Sequence, residues 1–377
     1  MEGKLLEMFE VGPCEDDYQL GFLIGQRFCN QIRSRLAGDL ILQNQLLPFA
    51  RTPHAQPLLK ALSETNQKKF PRYWAELLGT ADGSGVPIIL VNFRKEILPF
   101  ISKTTMNSNA DTTDDCSDVL IVGDSMAVAA HNEDANVALV GHTYLIKGKL
   151  SNGLSFIAYT YAGELPSCAF GLNSQGLAFT LNSVPPVEDE IVPAGIGRNF
   201  VSRDLLEATS TADALAPDKP QRIRSSEVSV GHSYNLIDIQ KRMILNVETA
   251  SKSRVSVHEV GTTPFFHANM YLHLQVQQVN NRTRNRRNKG KKEQLFYHKD
   301  QKPIFLSLLG DTEDTKYPIY MTGPTLYTLC TTVIDLDERT LTIIEGNPKY
   351  GKVSHVFSMS SNELNLKLVN HAEGTHL

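Results

Sequence analysis

The chain changes periodicity once, near residue 116, and that break limits its fold more than any other feature. Before it, apolar residues recur at helical spacing. In EDDYQLGFLIGQRFCNQIRSRL, Leu20, Ile24, Phe28, Ile32 and Leu36 share a face with Leu23 beside them, and Asp16 or Asp17 is placed to cap the helix. A second amphipathic stretch runs from about Leu58 to Leu78, with Phe70, Tyr73, Trp74 and Leu77 on one side and Pro71 dividing it. The glycines and proline of GTADGSGVP, residues 79 to 87, are expected to end it, and a short apolar piece, VPIILVNFRKEIL, follows. Residues 102 to 115, SKTTMNSNADTTDD, carry almost no apolar side chains and read as a solvated loop. After Cys116 come VLIV, MAVAA, ALVGHTYLIKGKL, LSFIAYTYAG, AFGLNSQGLAFTLNSV and YNLIDIQKRMILNVETA, β-type runs separated by turn residues at hairpin distance. Helical spacing returns in FVSRDLLEATSTADALA, and TLYTLCTTVIDLDERTLTIIEGNP reads as a late hairpin with Asp337 and Glu338 near its turn. Such an order predicts α+β architecture with packed layers and antiparallel sheets. A helix-rich segment, 1–115, and a β-rich segment, 116–377, are expected to form one unit.

Composition excludes several function classes. With 41% hydrophobic residues in 377 and a net charge of −4, the chain can bury a sizeable core and has no global charge suited to nucleic acid or an anionic membrane. The opening MEGKLLEMFEVGPCEDD has acidic residues where a secretory signal would be apolar, and no run is long enough to span a bilayer. The cysteines, Cys14, Cys29, Cys116, Cys168 and Cys330, are scattered and form no C-x-x-C pair. Free thiols in a reducing, cytoplasmic setting are expected. NNRTRNRRNKGKK, residues 280 to 292, is basic without interleaved aromatics, so an exposed insertion loop is favoured over a polyanion-binding patch or an adaptor surface. Asn281-Arg282-Thr283 fits a glycosylation acceptor formally and is expected to be silent.

Cys116 stands where a polar loop meets a strand. Most free cysteines are small buried hydrophobes, and the other four stay with that reading. If the Asp115–Cys116 bond were cut, Cys116 would own both a nucleophile and a base. Its α-amino group, with a reference pKa of about 8, lies close to the thiol's roughly 8.5. No separate histidine is then needed. His131, His142, His232 and His267 fall into no zinc-binding spacing, so neither a metal nor another cofactor is expected. A papain-like Cys/His pair stays open on spacing alone, although no papain-type signature surrounds Cys116. Thiolate attack on a carbonyl needs uncharged donors for the oxyanion. Asn182, ending the strand GLAFTLNSV, and Asn269, after the aromatic pair in PFFHANMY, suit that role; each could equally be a turn asparagine bonded to backbone. Asp134 in AAHNEDANV could orient the new amine, or sit in an exposed hairpin turn.

Taken together, Cys116-Ser117 after a loop, HNEDA at 131 to 135, YAGELP at 161 to 166, FGLNSQGLAFTLN at 170 to 182, RNFVSRDLLEA at 198 to 208 and FFHAN at 265 to 269 resemble the acyl-coenzyme A:6-aminopenicillanate acyltransferase family of N-terminal-nucleophile hydrolases. The likeness runs from about residue 16 to Asn347-Pro348 and is weakest near 280 to 300. It implies a four-layer αββα sandwich made as a precursor that cuts itself before the cysteine, its two fragments staying together. It implies Cys116 as nucleophile and base, Asp134 near the amine, and Asn182 and Asn269 at the oxyanion. Ser117 takes the small-hydroxyl position after the cysteine. It also implies a small acyl amide as substrate, such as an N-β-alanyl conjugate of a biogenic amine, with acyl transfer from a thioester as the alternative outcome. Asp115 departs from the family's glycine at the cleavage position, which suits a closely approached peptide best. A chain that Asp115 left uncut would be a binding protein without catalysis.

Overall fold

The computed structural model describes residues 6–101, 116–166, 169–219, 221–225, 227–278, 302–314, 318–360 and 363–367. Asp115 and the rest of the 102–115 loop, Cys168, and the basic 280–292 segment lie outside the described residues.

The strands, in chain order, are β1 Glu7–Val11, β2 Ser117–Val122, β3 Ala127–Asn136, β4 Thr143–Lys149, β5 Ser155–Tyr161, β6 Phe170–Asn173, β7 Leu177–Ser183, β8 His232–Asp238, β9 Met243–Ala250, β10 Arg254–Glu259, β11 Phe265–His267, β12 Leu326–Asp335, β13 Thr340–Glu345, β14 Lys352–Ser360 and β15 Glu363–Lys367. They form an eight-stranded sheet, β1-β4-β5-β6-β7-β8-β9-β10, and a seven-stranded sheet, β11-β2-β3-β12-β13-β14-β15. The helices are α1 Asp17–Arg27, α2 Cys29–Gly38, α3 Leu47–Ala50, α4 Ala55–Lys69, α5 Pro71–Ser84, α6 Ile89–Asn92, α7 Arg94–Ile97, α8 Arg198–Leu205 and α9 Thr211–Ala214, with a last helix at Lys302–Leu309.

Side-chain alternation along the strands builds the layers. In the larger sheet, Tyr144, Ile146, Phe156, Ala158, Phe179, Leu181, Tyr234 and Leu236 face the helices, among them Leu20, Ile24, Trp74, Leu77 and Phe200. Their alternates Leu145, Ile157, Tyr159, Ala178 and Ile237 meet Leu120, Ala129, Ile334, Leu341 and Phe357 of the smaller sheet. The outer face of the smaller sheet, Val119, Ile121, Val128 and Ala130, is covered by Phe305, Leu308 and Leu309 of the last helix. Helix, sheet, sheet, helix is therefore the layer order, the four-layer arrangement that the family resemblance implies.

The structure corrects the sequence reading at several places. Strand β1 lies in a region that reads as helical. It pairs parallel with β4, Glu7 opposite Tyr144, so the larger sheet is mixed at its edge. The VPIILVNFRKEIL piece forms the single turns α6 and α7. Asp16 does cap α1, its carboxylate accepting from the Gln19 N–H at 2.7 Å, and Pro71 opens α5. Yet α5 does not stop at Gly79. It runs to Ser84 and ends on Gly85, whose φ of +70° closes the helix in the left-handed region. Gly79 and Gly83 are helical because α1 lies against them backbone to backbone. A Cβ at Gly21 would sit 1.9 Å from the Glu76 carbonyl oxygen, and one at Gly79 2.1 Å from that of Tyr18. Gly25 and Gly83 complete the seam, with 2.3 Å and 2.2 Å to the carbonyl oxygens of Thr80 and Phe22. Glycines that sequence reasoning treats as breakers here serve contact.

Arg203 anchors α8 to this layer. It is fully buried, with its guanidinium over the Tyr73 and Phe156 rings at 4.8 and 4.9 Å. It bonds Glu76 at 2.9 Å and Glu207 at 3.1 Å. Burial pushes the Glu76 carboxyl up to about 7 against the pull of Arg203. Arg203→Leu strands that carboxylate and is expected to cost about 3–5 kcal/mol in chemical denaturation, part of it recovered in the Glu76→Leu/Arg203→Leu double variant.

Candidate active site

Cys116 immediately precedes β2 and is 3% exposed. Its Sγ lies 3.7 Å from Glu133 Oε2 and 3.7 Å from the Asp134 carbonyl oxygen. The strand pairing explains this meeting: Ser117 is opposite Asn132 and Asp118 opposite His131, so the start of β2 lies beside the end of β3. Alternation then sorts the side chains. Asp118 lies on the same face of β2 as Leu120, and His131 and Glu133 on the same face of β3 as Ala129 and Ala135; both faces point between the sheets.

His131 joins these carboxylates. Its Nδ1 is 2.7 Å from Asp118 Oδ1 and its Nε2 3.0 Å from Glu133 Oε2, all three groups being buried. Burial alone would lower its pKa, but the Asp118 charge, hydrogen bonds to Asp118 and Glu133, and the Glu133 charge outweigh it and push the imidazole up to about 10. The ring is an imidazolium donating at both nitrogens. Tyr161, from the YAGELP motif, donates its hydroxyl to Glu133 Oε1. The glutamate of that motif, Glu164, instead binds Arg35 at 2.5 Å and Asn199 at 3.0 Å, tying the end of β5 to α2 and α8. Cys116, His131 and Glu133 place one atom each within 4.8 Å of the others, close enough for a metal. In the arrangement present, His131 links the two carboxylates as a hydrogen-bond chain.

Across the cleft, Asn182 near the end of β7 directs its amide nitrogen at His267 Nδ1, 2.9 Å away, and at the Cys116 carbonyl oxygen, 3.5 Å away. His267 donates from Nε2 to the Met270 carbonyl at 2.8 Å, and burial lowers its pKa. It is therefore neutral, with the Nδ1 lone pair facing Asn182. Asn269 follows β11 in a left-handed conformation, φ +50°, and donates to the Ser183 carbonyl at 2.9 Å. Both asparagines are buried beside the cysteine strand. Neither sits in a solvent-exposed turn, though both direct their amide nitrogen at a backbone carbonyl.

Asp134 and Ser117 lie apart from this cluster. Asp134 is buried within β3, not in the exposed turn that was the alternative, and its Oδ1 accepts from Thr328. The faces of β2 and β3 that hold Ser117 and Asp134 are those of Val119 and Ala130, toward the last helix. Asn132 on that face donates to the Leu309 carbonyl at 2.8 Å. Cys116 thus marks the edge between two environments. Sequence reasoning missed Asp118, Glu133 and Tyr161; it gave His131 and His267 no zinc-binding spacing and left a Cys/His pairing open without choosing a partner. The signal was present: Cys116 and Asp118, like His131 and Glu133, are two residues apart in β-type runs and must share a face.

Known proteins resemble this chain at three levels. A family model described as acyl-coenzyme A:6-aminopenicillanic acid acyl-transferase matches residues 122–350, more than half of the chain. The chain is similar to the beta-alanyl-dopamine/carcinine hydrolase of Drosophila melanogaster, 24% identical across 92% of this chain and 96% of that protein. Among solved structures, a mutant of conjugated bile acid hydrolase from Clostridium perfringens aligns with 12% identity and a TM-score of 0.41, over 70% of this chain and 99% of that one. Penicillin V acylase from Agrobacterium tumefaciens aligns with 13% identity and a TM-score of 0.35, over 61% and 83%. By the extent of the family match, the chain belongs to the acyl-coenzyme A:6-aminopenicillanic acid acyl-transferase family.

Proposed function

We propose that the protein is a self-processing amidohydrolase with Cys116 as its nucleophile, acting on a small acyl amide of the N-β-alanyl biogenic amine class. The observation that carries this is the placement of Cys116: a buried thiol at the start of a strand, its sulfur 3.7 Å from Glu133 and its carbonyl 3.5 Å from the Asn182 amide. After scission of Asp115–Cys116, the freed α-amine takes the thiol proton as sulfur attacks the substrate carbonyl. The Asn269 amide and the loosely held second N–H of Asn182 receive the oxyanion. The protonated amine then gives its proton to the leaving amine, and a thioester remains on Cys116. Water, activated by the same amine, releases the acid. Asp134 and Ser117, on the far face of the strands, hold the new terminus. The similarity to the Drosophila hydrolase supports the substrate class.

The test is N-terminal sequencing and intact mass of active protein, with an amide turnover assay on N-β-alanyl-dopamine. Two fragments, one beginning at Cys116, and release of β-alanine are expected; an uncut chain that hydrolyses the amide refutes the amine-base mechanism. The family's name favours one further reading, transfer of the acyl group to an amine. Adding a primary amine acceptor during turnover measures the split. At equal rates of substrate consumption, free acid is expected to exceed transferred amide by at least about tenfold, because water, unlike an amine acceptor, needs no binding site of its own to reach the thioester. Cys14, Cys29, Cys116 and Cys330 form no disulfide, which supports a cytoplasmic, reducing location. Among the described residues, no helix is long and apolar enough to cross a membrane.

A further inference from the structure

Asp118 has one carboxylate oxygen fully used and one unused. Oδ1 accepts from His131 at 2.7 Å and from the Thr180 hydroxyl at 3.1 Å. Behind Thr180 a line of donors points the same way, Asn246 to Asn235 at 2.8 Å and Asn235 to Thr180 at 2.9 Å. Oδ2 accepts no hydrogen bond among the described residues, although Asp118 is completely buried. The ring nitrogen facing it, His267 Nδ1, lies 4.0 Å away and carries the lone pair that faces Asn182, so it offers no proton. Leaving a buried carboxylate oxygen without a donor is costly, and native structures rarely do so without a reason.

A second orphan stands beside it. Asn182 must present its NH2 group to His267 Nδ1, because His267 Nε2 is committed as donor to Met270. The amide cannot be turned over without losing that bond, and so its Oδ1 is left with no donor among the described residues. Asn182 is completely buried. Two unsatisfied acceptors, one of them charged, therefore flank His267 below the nucleophile. Charge points the same way, since Asp118 and Glu133 share the single imidazolium of His131.

We infer that Asp118 Oδ2, with Asn182 Oδ1, binds a cationic ammonium on the acyl part of the substrate, and so selects the acyl group. This rests on the amidohydrolase reading above. The distances allow it. Cys116 and Asp118 are two strand residues apart, roughly 6.5–7 Å between Cα atoms and on one face. In a β-aminoacyl group the ammonium lies roughly 4 Å from the carbonyl carbon, so a carbonyl seated at Sγ delivers it toward the carboxylate. An ammonium has donors only, and both orphans are acceptors. A neutral acyl chain would leave them unsatisfied, whereas an anionic one would meet like charge. Asp118 is thus assigned to specificity, with sulfur chemistry left to Cys116.

The experiment compares kcat/KM for three amides of dopamine: β-alanyl, butyryl, which is its neutral isostere, and succinyl, which is anionic. The wild type is expected to prefer β-alanyl over butyryl by at least about tenfold, with succinyl slowest. In Asp118→Asn the β-alanyl/butyryl ratio should fall to about threefold or less, whatever happens to the absolute rates. A wild-type ratio near one overturns the inference while leaving amide hydrolysis standing. A folded Asp118→Asn enzyme that keeps the wild-type ratio also overturns it, since Asp118 would then act only by holding His131. If the wild type hydrolyses none of the three, it is the amidohydrolase reading that fails. Should Asp118→Asn not fold, Asp118→Glu, which keeps the charge but shifts it by one methylene, serves instead. It should alter the ratio between β-alanyl and the longer γ-aminobutyryl amide, and an unchanged ratio would count against the assignment.

Discussion

Cys116→Ala should emerge from purification as one uncut chain and hydrolyse amides at least about 10⁴-fold more slowly than wild type. Both effects have one origin. Under the proposed mechanism, the side chain that attacks the substrate also attacks its own preceding peptide bond. The residue is buried, and its sulfur is bounded by Glu133 and the Asp134 carbonyl. Cys330, the other buried cysteine among the described residues, cannot stand in. It lies by Tyr159 in the inter-sheet core, where burial pushes its thiol well above the ordinary value. Cys116→Ser separates the two roles, because a hydroxyl can still rearrange the backbone slowly while being a far weaker nucleophile near neutral pH. Intact mass against time gives the first rate and amide turnover the second. Full activity in Cys116→Ala would end the assignment.

His131→Gln is expected to produce the second large effect, in stability as well as turnover. Among the described residues, His131 is the cation that Asp118 and Glu133 share. Removing one charge from a buried ionic cluster leaves the others uncompensated, at a cost of about 3–5 kcal/mol near pH 6. The sign with pH follows from the raised pKa, about 10 in the fold against 6.5 in the unfolded chain. Below 6.5 both states hold the proton and the stabilisation is whole. As pH rises from 6.5 toward 10, the unfolded state loses its proton first, and stability declines by up to about 1.4 kcal/mol per pH unit. Above that range the contribution is gone. Urea denaturation at intervals from about pH 6 to 9 should therefore bring wild type and His131→Gln progressively closer. A constant gap would show that His131 is not held as a cation. Turnover should fall by roughly 10–100-fold, because Glu133 no longer holds the sulfur in place.

How far the sequence reveals this molecule depends on whether an interaction is local. The Asp16 cap, the Pro71 break and the β12–β13 hairpin follow from signals between near neighbours in the chain and are legible; the Leu20 to Leu36 residues are buried as read, but in two helices, α1 and α2, that part at Phe28. Gly79 misleads because its reason lies in another helix. A breaker and a contact glycine look identical until α1 is known to lie on α5. Strand β1 hides because EMFEV is short and its partner, β4, begins far later in the chain, at Thr143. The site divides in the same way. Cys116 stands out at a junction of textures. The Asp118–His131–Glu133 chain was readable as far as the shared faces, but the pairing of β2 with β3 that brings those faces together is a tertiary fact. The state of His267, and hence the direction of the Asn182 amide, depends on the Met270 carbonyl, which no motif names.

Strand β1 imposes an order of events. Although it comes from the beginning of the chain, its backbone completes an edge whose other members are all made later, starting at Thr143. Helices α1, α2 and α5 also bury apolar side chains against that sheet. A nascent N-terminal piece released early would drift away with its greasy flanks bare. If the chain is cut before Cys116 as proposed, the cut is expected to follow assembly, and mixing separately produced halves is expected not to rebuild the fold.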